Sequence, residues 1–269
     1  MGSDLGATKK QRKTSIVGYA IAFVAGFLFH RVLVVSSDPA TASPSSSSLL
    51  RSASSGCSIS FGPYKGPRYR SASSTIGETK CLIESKFLQI SQHRVQLQPN
   101  QPIIDDWLWI DYHDRINVLV MSGERQFSVF QQTKYALEDR QSLAIVGGII
   151  EPHELPEHAA RREVEEELQL HCQTFQFLGR YRTDVNRGMG WTNTYLASEC
   201  QRRRGMGDEA MNPSEEVGAP DTERQDLRVI SLDALKEGVR NGKFLEIQWT
   251  ATIALAILHI ESKQNESHS

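Results

Sequence analysis

The segment from Gly147 to Leu170 constrains the fold most strongly, because it combines a glycine turn, a helix start and many carboxylates. Pro156 suits a first helical turn, where its missing N–H is not needed. At about 100° per residue, the apolar side chains share one stripe of this helix and three glutamates share the adjacent stripe. The apolar stripe contains Ala160, Val164 and Leu168, and the acidic stripe contains Glu163, Glu166 and Glu167. Glu165 points elsewhere.

This acidic stripe indicates a cation site. Three carboxylates on one arc repel each other and weaken the helix unless a cation lies between them. Mg²⁺ prefers oxygen ligands and is typically held by a few carboxylates together with substrate phosphates. The alternative interpretation of the three glutamates is a solvated acidic face.

The flanking sequence predicts an α/β sandwich. Short apolar runs separated by turn residues predict strands within 81–97, 105–112, 116–121, 127–132 and 142–150, with others near Tyr181, near Tyr195-Leu196 and over 227–230. The run at 118–120 is apolar on both faces, as a sheet covered on both sides requires. Helices are predicted over 233–240 and 247–260, with a long polar loop over 201–225. Mixed strands and helices on both faces favour the sandwich.

The spacing of the central segment resembles the Nudix box, G-x5-E-x7-R-E-U-x-E-E-x-G-U, where U is aliphatic. Gly148, Glu154 and the run Arg162–Leu170 match it at every defining position except Gln169, which replaces a glycine. Glycine relieves backbone strain at a helix end, so this departure concerns the exit turn and not the metal ligands. The resemblance covers roughly residues 85–260. It implies a Nudix-like αβα sandwich with a mixed sheet.

The resemblance also implies a reaction and its residues. Nudix hydrolases cleave a nucleoside diphosphate linked to another group X with Mg²⁺, and Mn²⁺ is a possible substitute. The implied metal residues are Glu163, Glu167, Glu166 and Gly148. Arg162 and Glu154 match the orienting pair of the box, for which a surface salt bridge is the alternative. Glu223 matches a position that often carries a base or a further ligand.

The run 130–136, followed by 143–152, resembles the ADP-ribose and ADP-sugar pyrophosphatase branch, which implies that Gln132 and Lys134 lie close to the substrate. Gln131 stands where this branch often has arginine, and Asn186 where it often has proline. The substrate therefore stays open among ADP-ribose, nucleotide sugars, dinucleoside polyphosphates and coenzyme A derivatives. A nucleotide-sensing module without turnover is a further alternative. The branch also implies a possible homodimer.

Three further residues are candidates for substrate binding. Arg182 and Arg187 lie in the turn-rich run 181–191, and an arginine can grip a phosphate with two hydrogen bonds. Trp107 can stack on a nucleobase. The alternative for the two arginines is a solvent-facing hairpin, and the alternative for Trp107 is packing in the core.

The N-terminal third predicts a membrane anchor. A basic tail over 1–14 precedes an apolar run over 15–35, which as a helix spans roughly 30 Å, about one bilayer core. The positive-inside rule puts the N-terminus in the cytosol and the remainder in the lumen of an ER- or Golgi-type membrane. A buried core helix, a cleaved signal and an organelle-targeting leader are the alternatives. The rest of the predicted organisation is a serine-rich linker over 36–80, a Nudix domain over 81–262 and a tail over 263–269. Aromatic residues in 61–70 can dock onto the domain.

Charge and cysteine content exclude other classes. The formal charge is 30 − 32 = −2, and residues 36–269 carry 25 basic against 31 acidic residues, which disfavours a nucleic-acid partner. Four cysteines form no CxxC pair and are too sparse for a disulfide scaffold or a zinc cluster. Asn265 starts an N-glycosylation sequon, so a glycan there would support a luminal domain.

Overall fold

The computed structural model describes residues 56–202 and 225–266. The apolar run at 15–35 and the candidate residue Glu223 lie outside these ranges. Within them, no helix combines the length and the apolar character that a membrane crossing needs.

A mixed sheet organises the described chain and confirms the predicted α/β class. Its strands are β1 (Ile59–Ser60), β2 (Lys80–Glu84), β3 (Leu88–Val95), β4 (Ile104–Tyr112), β5 (Arg115–Gly123), β6 (Gln126–Thr133), β7 (Gln141–Ala144), β8 (Val146–Ile149), β9 (Leu170–Asp184), β10 (Gly188–Arg202) and β11 (Gln225–Ser231). The order is β1-β2-β3-β4-β10-β5-β6-β11, with β7 beside β6, β8 beside β5 and β9 beside β10. β10 runs parallel to β5, and β8 runs antiparallel to it.

Strand β5 lies at the centre of the core. Val118, Leu119 and Val120 are fully buried, so both faces of the strand are covered, as the uninterrupted apolar run predicts. Arg115, at the start of β5, pairs with Ile149 of β8 and with Thr192 of β10. The beginning of β5 therefore lies between the end of β8, the strand that contains Gly148, and the beginning of β10.

Helix α1 (Pro156–Leu168) follows β8 after a six-residue loop and confirms the predicted box helix. Its buried residues are the predicted apolar stripe, Ala160, Val164 and Leu168, together with Ala159. The helix packs against β8, β5 and β9. It ends with Gln169 in the left-handed conformation at φ 54°, and the Gln169 N–H donates to the Glu165 carbonyl. The exit turn therefore forms even though the box glycine is absent.

Two helices close the chain, close to their predicted positions. Helix α2 (Leu232–Arg240) is capped by Ser231, whose hydroxyl accepts the Ala234 N–H at 3.2 Å. Helix α3 (Ile247–Glu266) buries Trp249, Ile253 and Ala256 and packs on β5, β10 and β9.

Glycines 147 and 148 show that α1 and the beginning of α3 lie on opposite faces of the sheet. Successive residues of a strand face opposite sides. A β-carbon at Gly148 would overlap the Glu163 carboxylate of α1, whereas one at Gly147 would approach Asn117 Oδ1 to 2.9 Å. Asn117 shares its face with Arg115, two residues earlier, and Arg115 faces Glu246 just before α3. The sandwich therefore has the predicted helix layers on both sides.

The segment before β2 packs onto the sheet, which is the docking that the aromatics of 61–70 allow. Tyr64 is buried with its ring edge-on to His113 at 5.1 Å. The Tyr69 N–H donates to Asp111 Oδ1 at 3.0 Å, and the Tyr69 hydroxyl donates to Asp114 Oδ2 at 2.7 Å. We call residues 56–79 the strap.

Both cysteine pairs form disulfides, Cys57–Cys81 and Cys172–Cys200. The first joins the strap to β2. The second joins directly opposed residues of β9 and β10. Sequence separations of 24 and 28 residues give no hint of this, because the strand register and the docking of the strap bring the sulfurs together. No cysteine of the chain is left free.

The end of α1 offers a stability test. Replacing Gln169 with glycine removes a β-carbon from a left-handed residue, where it costs about 1 kcal/mol. We expect Gln169→Gly to raise the free energy of unfolding by about 0.5–1 kcal/mol in urea titrations, while Gln169→Ala gives no gain. A loss of stability in the glycine variant would show that the Gln169 side chain contributes more than its backbone costs.

Candidate active site

Strand β8 and helix α1 bring two residues of the box, Gly148 and Glu163, into contact. The Glu163 carboxylate lies against Gly148 in space that any β-carbon at residue 148 would fill. Only glycine at this position lets the carboxylate approach the backbone of β8 so closely. This contact explains why the pattern needs a glycine fifteen residues before the glutamate.

Arg162 organises the carboxylates around this contact. Its Nε and Nη2 donate to the two oxygens of Glu154, both at 3.0 Å, in a bidentate pair. Its Nη1 donates to Glu163 Oε1 at 2.7 Å and to Glu166 Oε2 at 3.2 Å. Nη2 also donates to the Ile149 carbonyl at 3.1 Å. One guanidinium therefore joins the end of β8, the following loop and helix α1.

Glu154 and Asp114 fix the loop between β8 and α1. Glu154 Oε2 accepts the Glu151 N–H at 3.0 Å, and the Glu154 N–H donates to the Glu151 carbonyl at 3.1 Å. At the start of the loop, the Ile150 N–H donates to the Asp114 carbonyl at 2.9 Å. The loop is therefore held at both ends by hydrogen bonds within the chain.

The electrostatics of the two inner carboxylates differ. The hydrogen bonds from Arg162 lower the pKa of Glu154, although burial opposes this. Burial raises the pKa of Glu163, with Arg162 opposing and Glu166 and Glu154 reinforcing the rise. Glu163 is thus a half-buried carboxylate whose ionised form is stabilised by any further positive charge nearby.

The remaining box glutamates take different positions. Glu166 has 54% of its side chain exposed, and Glu167 is half-buried. Glu165 faces away from this group, and its Oε1 lies 2.9 Å from His171 Nδ1. Glu165 is therefore an internal comparison for the acidic stripe.

The donor chemistry of the site fits a hard divalent cation, although its geometry is not that of a closed cage. Oxygen ligands surround the Gly148–Glu163 contact, and Mg²⁺ usually keeps several waters and uses only one or two protein carboxylates. Among the residues that the structure describes, no three His, Cys, Asp or Glu side chains converge as a complete metal site. Glu163 Oε1 is engaged by Arg162, so a metal here would rely on the other oxygens of the stripe.

The candidate substrate residues fall into two groups. Gln132 is buried in β6, and Lys134 follows that strand. Burial raises the pKa of Glu246, and the charges of Arg115 and Lys134 oppose this rise. Arg182 lies between three aromatic rings on β4, β10 and the strap, with its guanidinium carbon 4.9–5.1 Å from the centres of Tyr69, Trp109 and Trp191. Arg187 lies over the Trp107 ring at 5.1 Å. The first group is near the start of α3, and Arg182 of the second group contacts Tyr69 of the strap.

Asp114 is a residue that the sequence analysis does not single out. Its Oδ1 accepts the Trp191 N–H at 3.0 Å, and its Oδ2 accepts the Tyr69 hydroxyl at 2.7 Å and Arg180 Nη2 at 2.9 Å. The same residue anchors the box loop through its carbonyl. The only signal in the sequence is an acidic residue in a two-residue turn, which is too common to indicate a role.

Comparison with known proteins identifies the family. The family model described as the NUDIX domain matches residues 111–248, which is just over half of the chain. The chain therefore belongs to the Nudix family and is a Nudix pyrophosphohydrolase. Enzymes of this family generally use divalent metal ions, typically Mg²⁺.

Solved structures show the same fold. One, entitled "Crystal structure of ADP compounds hydrolase", matches 71% of this chain and 95% of its own with a TM-score of 0.56 and 14% sequence identity. No curated protein matches the sequence. At this identity the likeness concerns the arrangement of helices and strands only.

The Arg162 network predicts a large loss of stability on truncation. Arg162→Ala leaves Glu154 and Glu163 half-buried without their partner, and we expect the free energy of unfolding to fall by about 2–3 kcal/mol. The matched control is Arg94→Ala, because Arg94 forms an exposed pair with Asp105 and such pairs contribute about 0–1 kcal/mol. Urea denaturation of both variants makes the comparison; equal losses would mean that Arg162 acts as an ordinary surface residue.

Proposed function

We propose that the protein is a Mg²⁺-dependent hydrolase that cleaves the diphosphate of ADP-ribose or a nucleotide sugar. The observation that carries this proposal is the Glu163 carboxylate, half-buried against Gly148 and oriented by Arg162 and Glu154. The fold shared with an ADP compounds hydrolase supports an adenine nucleotide as the substrate class. Dinucleoside polyphosphates and coenzyme A derivatives are the alternative substrates.

The residues that would hold the metal are Glu163, Glu166, Glu167 and the backbone of Gly148. When bound, the ion supplies a Lewis acid for the diphosphate and a water of lowered pKa. Arg162 keeps Glu163 oriented and half-buried, so that this carboxylate loses little freedom on metal binding. Glu154 and the Asp114 carbonyl hold the loop, which fixes the distance between Gly148 and the acidic stripe.

Lys134 is the proposed contact to a substrate phosphate, and Gln132 the proposed hydrogen-bonding partner beside it. The Arg187–Trp107 pair offers an aromatic face with a cation, which suits a nucleobase or a sugar phosphate. Arg182 lies among three aromatic rings and is retained as a proposed substrate-binding residue. Glu223 is retained as a proposed base or further ligand.

We also propose that the domain resides in an oxidising lumen, with the N-terminal run 15–35 as its membrane anchor. Two disulfides that use every cysteine of the chain support this, because such bonds persist in oxidising compartments. The exposed Asn265 near the end of α3 would then be accessible to glycosylation.

Catalysis is tested by paired glutamate variants of the full-length protein. We expect Glu163→Gln and Glu167→Gln each to lower Mg²⁺-dependent hydrolysis of ADP-ribose by about 100-fold or more, because each removes a ligand charge. Glu165→Gln is the control and should keep nearly full activity, since its side chain faces His171. Chromatography of the products gives the rates. Equal effects of the three variants, or nucleotide binding without turnover by the unaltered protein, would contradict the proposed mechanism.

Topology is tested in sealed microsomes. With the domain in the lumen, added protease should digest it only after detergent opens the vesicles. Endoglycosidase should increase the electrophoretic mobility of the unaltered protein but not that of the Asn265→Gln variant. Digestion of the domain in intact vesicles would exclude the luminal assignment.

A further inference from the structure

The strap contacts the carboxylate of Asp114, the residue between β4 and β5 that also anchors the box loop. The Tyr69 hydroxyl donates to Asp114 Oδ2 at 2.7 Å. Arg180 Nη2 donates to the same oxygen at 2.9 Å and to the Tyr69 oxygen at 3.1 Å. The Trp191 N–H donates to Asp114 Oδ1 at 3.0 Å. Both oxygens of Asp114 are therefore engaged, and only 14% of its side chain is exposed.

The main chain of Asp114 continues this network towards the acidic helix. Its carbonyl accepts the Ile150 N–H at 2.9 Å. The preceding residue, Ile149, offers its carbonyl to Arg162 Nη2 at 3.1 Å, and Arg162 Nη1 donates to Glu163 Oε1 at 2.7 Å. A continuous path of hydrogen bonds and adjacent residues therefore connects the strap with the Glu163 carboxylate.

The network lies on the face of the sheet that carries Glu163. Directly paired residues of neighbouring strands share a face. Arg180 of β9 pairs with Asn193 of β10, which pairs with Ile116 of β5. Ile116 in turn pairs with Gly148 of β8, and Gly148 faces Glu163. The contact between the strap and Arg180 is therefore made on the same side of the sheet as the candidate metal site.

The strap holds the Tyr69 hydroxyl in a fixed position. The disulfide Cys57–Cys81 ties the beginning of the strap to β2, and the Tyr69 N–H donates to Asp111 Oδ1 at 3.0 Å. Burial and the hydrogen bond to Asp114 raise the pKa of Tyr69, so its hydroxyl stays protonated near neutral pH and remains a donor.

We propose that Tyr69 and Asp114 are positioning residues for hydrolysis, in which Tyr69 fixes Asp114, and Asp114 fixes Ile150 at the exit of the strand that carries Gly148. Both residues act through the loop between β8 and α1. Their effect on the reaction rests on the proposed function, because it requires the metal ligands assigned there. The strap precedes residues 111–248, which the family model matches, so the working active site extends to a segment outside the matched domain.

The kinetic test compares two variants of the full-length protein that each remove one tyrosine hydroxyl from the strap and keep its ring. We expect Tyr69→Phe to lower kcat for Mg²⁺-dependent hydrolysis of ADP-ribose by about five- to tenfold and to change KM by less than about twofold, because a small displacement of catalytic groups slows the reaction without weakening binding. Tyr64→Phe is the matched control and should leave kcat unchanged, since the Tyr64 hydroxyl donates to the Pro67 carbonyl within the strap at 3.1 Å. An unchanged kcat in Tyr69→Phe, or an equal loss in both variants, contradicts the proposal.

A double variant tests whether Tyr69 acts through Asp114. We expect Asp114→Ala to lower kcat by about 100-fold, because the anchor of the box loop is then no longer held by its carboxylate. The variant with both Tyr69→Phe and Asp114→Ala should be no slower than Asp114→Ala alone, since the hydroxyl has no carboxylate left to orient. Losses that multiply in the double variant overturn the proposal.

Hydrogen exchange gives a readout that does not depend on activity. Because the Ile150 N–H binds the Asp114 carbonyl, Tyr69→Phe should accelerate exchange of this amide by about tenfold, and clearly more than exchange of the Val118 amide in the core of β5. Tyr64→Phe should not produce this difference. Equal acceleration at both amides indicates a general loss of stability and overturns the positioning role. Should Asp114→Ala fail to fold, this comparison and the kinetics of Tyr69→Phe decide.

The positioning role and the proposed function fail in distinguishable ways. If the unaltered protein hydrolyses no ADP-ribose, the proposed function is removed, and exchange at Ile150 still decides whether the strap positions the loop. If the unaltered protein hydrolyses ADP-ribose while Tyr69→Phe keeps both its kcat and its exchange at Ile150, the function stands and the positioning role is removed.

Discussion

The contact on which the candidate site depends is the fork of Arg162 on Glu154 and Glu163. A guanidinium is planar and permanently charged, so it can hold two carboxylates in fixed directions while also binding the Ile149 carbonyl. Without it, a buried Glu163 beside Glu166 would favour protonation, because burial and like charge both act against ionisation. The same residue thus sets the geometry of the site and opposes the rise in the pKa of Glu163 that burial causes.

The box and its helix were predictable because their determinants are local. The spacing of Gly148, Glu154 and Glu163 fixes a loop length and a helix face, and the apolar run of β5 fixes a strand covered on both sides. Helices α2 and α3 follow from the spacing of apolar residues. These features need no knowledge of distant residues, so the sequence alone indicates them.

The rest depends on register and docking between distant segments. Cys172 meets Cys200 only because β9 and β10 pair with that particular register. Tyr69 of the strap meets Asp111 and Asp114 at sequence separations of 42 and 45. Arg115 meets Glu246 across more than a hundred residues, and no spacing rule connects them. Arg182 lies close to Tyr69, Trp109 and Trp191 for the same reason, because the docking of the strap and the pairing of the strands bring these rings together.

The two consecutive glycines of β8 leave the sheet without side chains at a point where polar and charged groups pack on both faces. On one side lies the acidic helix, and on the other lie Asn117 and the arginine that begins β5. At these two residues only the peptide backbone separates the two faces of the sheet. A charge on one face consequently acts on the other face at a shorter distance than it would across two intervening side chains. Alanine at either position would place a methyl group between the strand and the side chains packed on that face. Selection can therefore act on the absence of a side chain at these two residues.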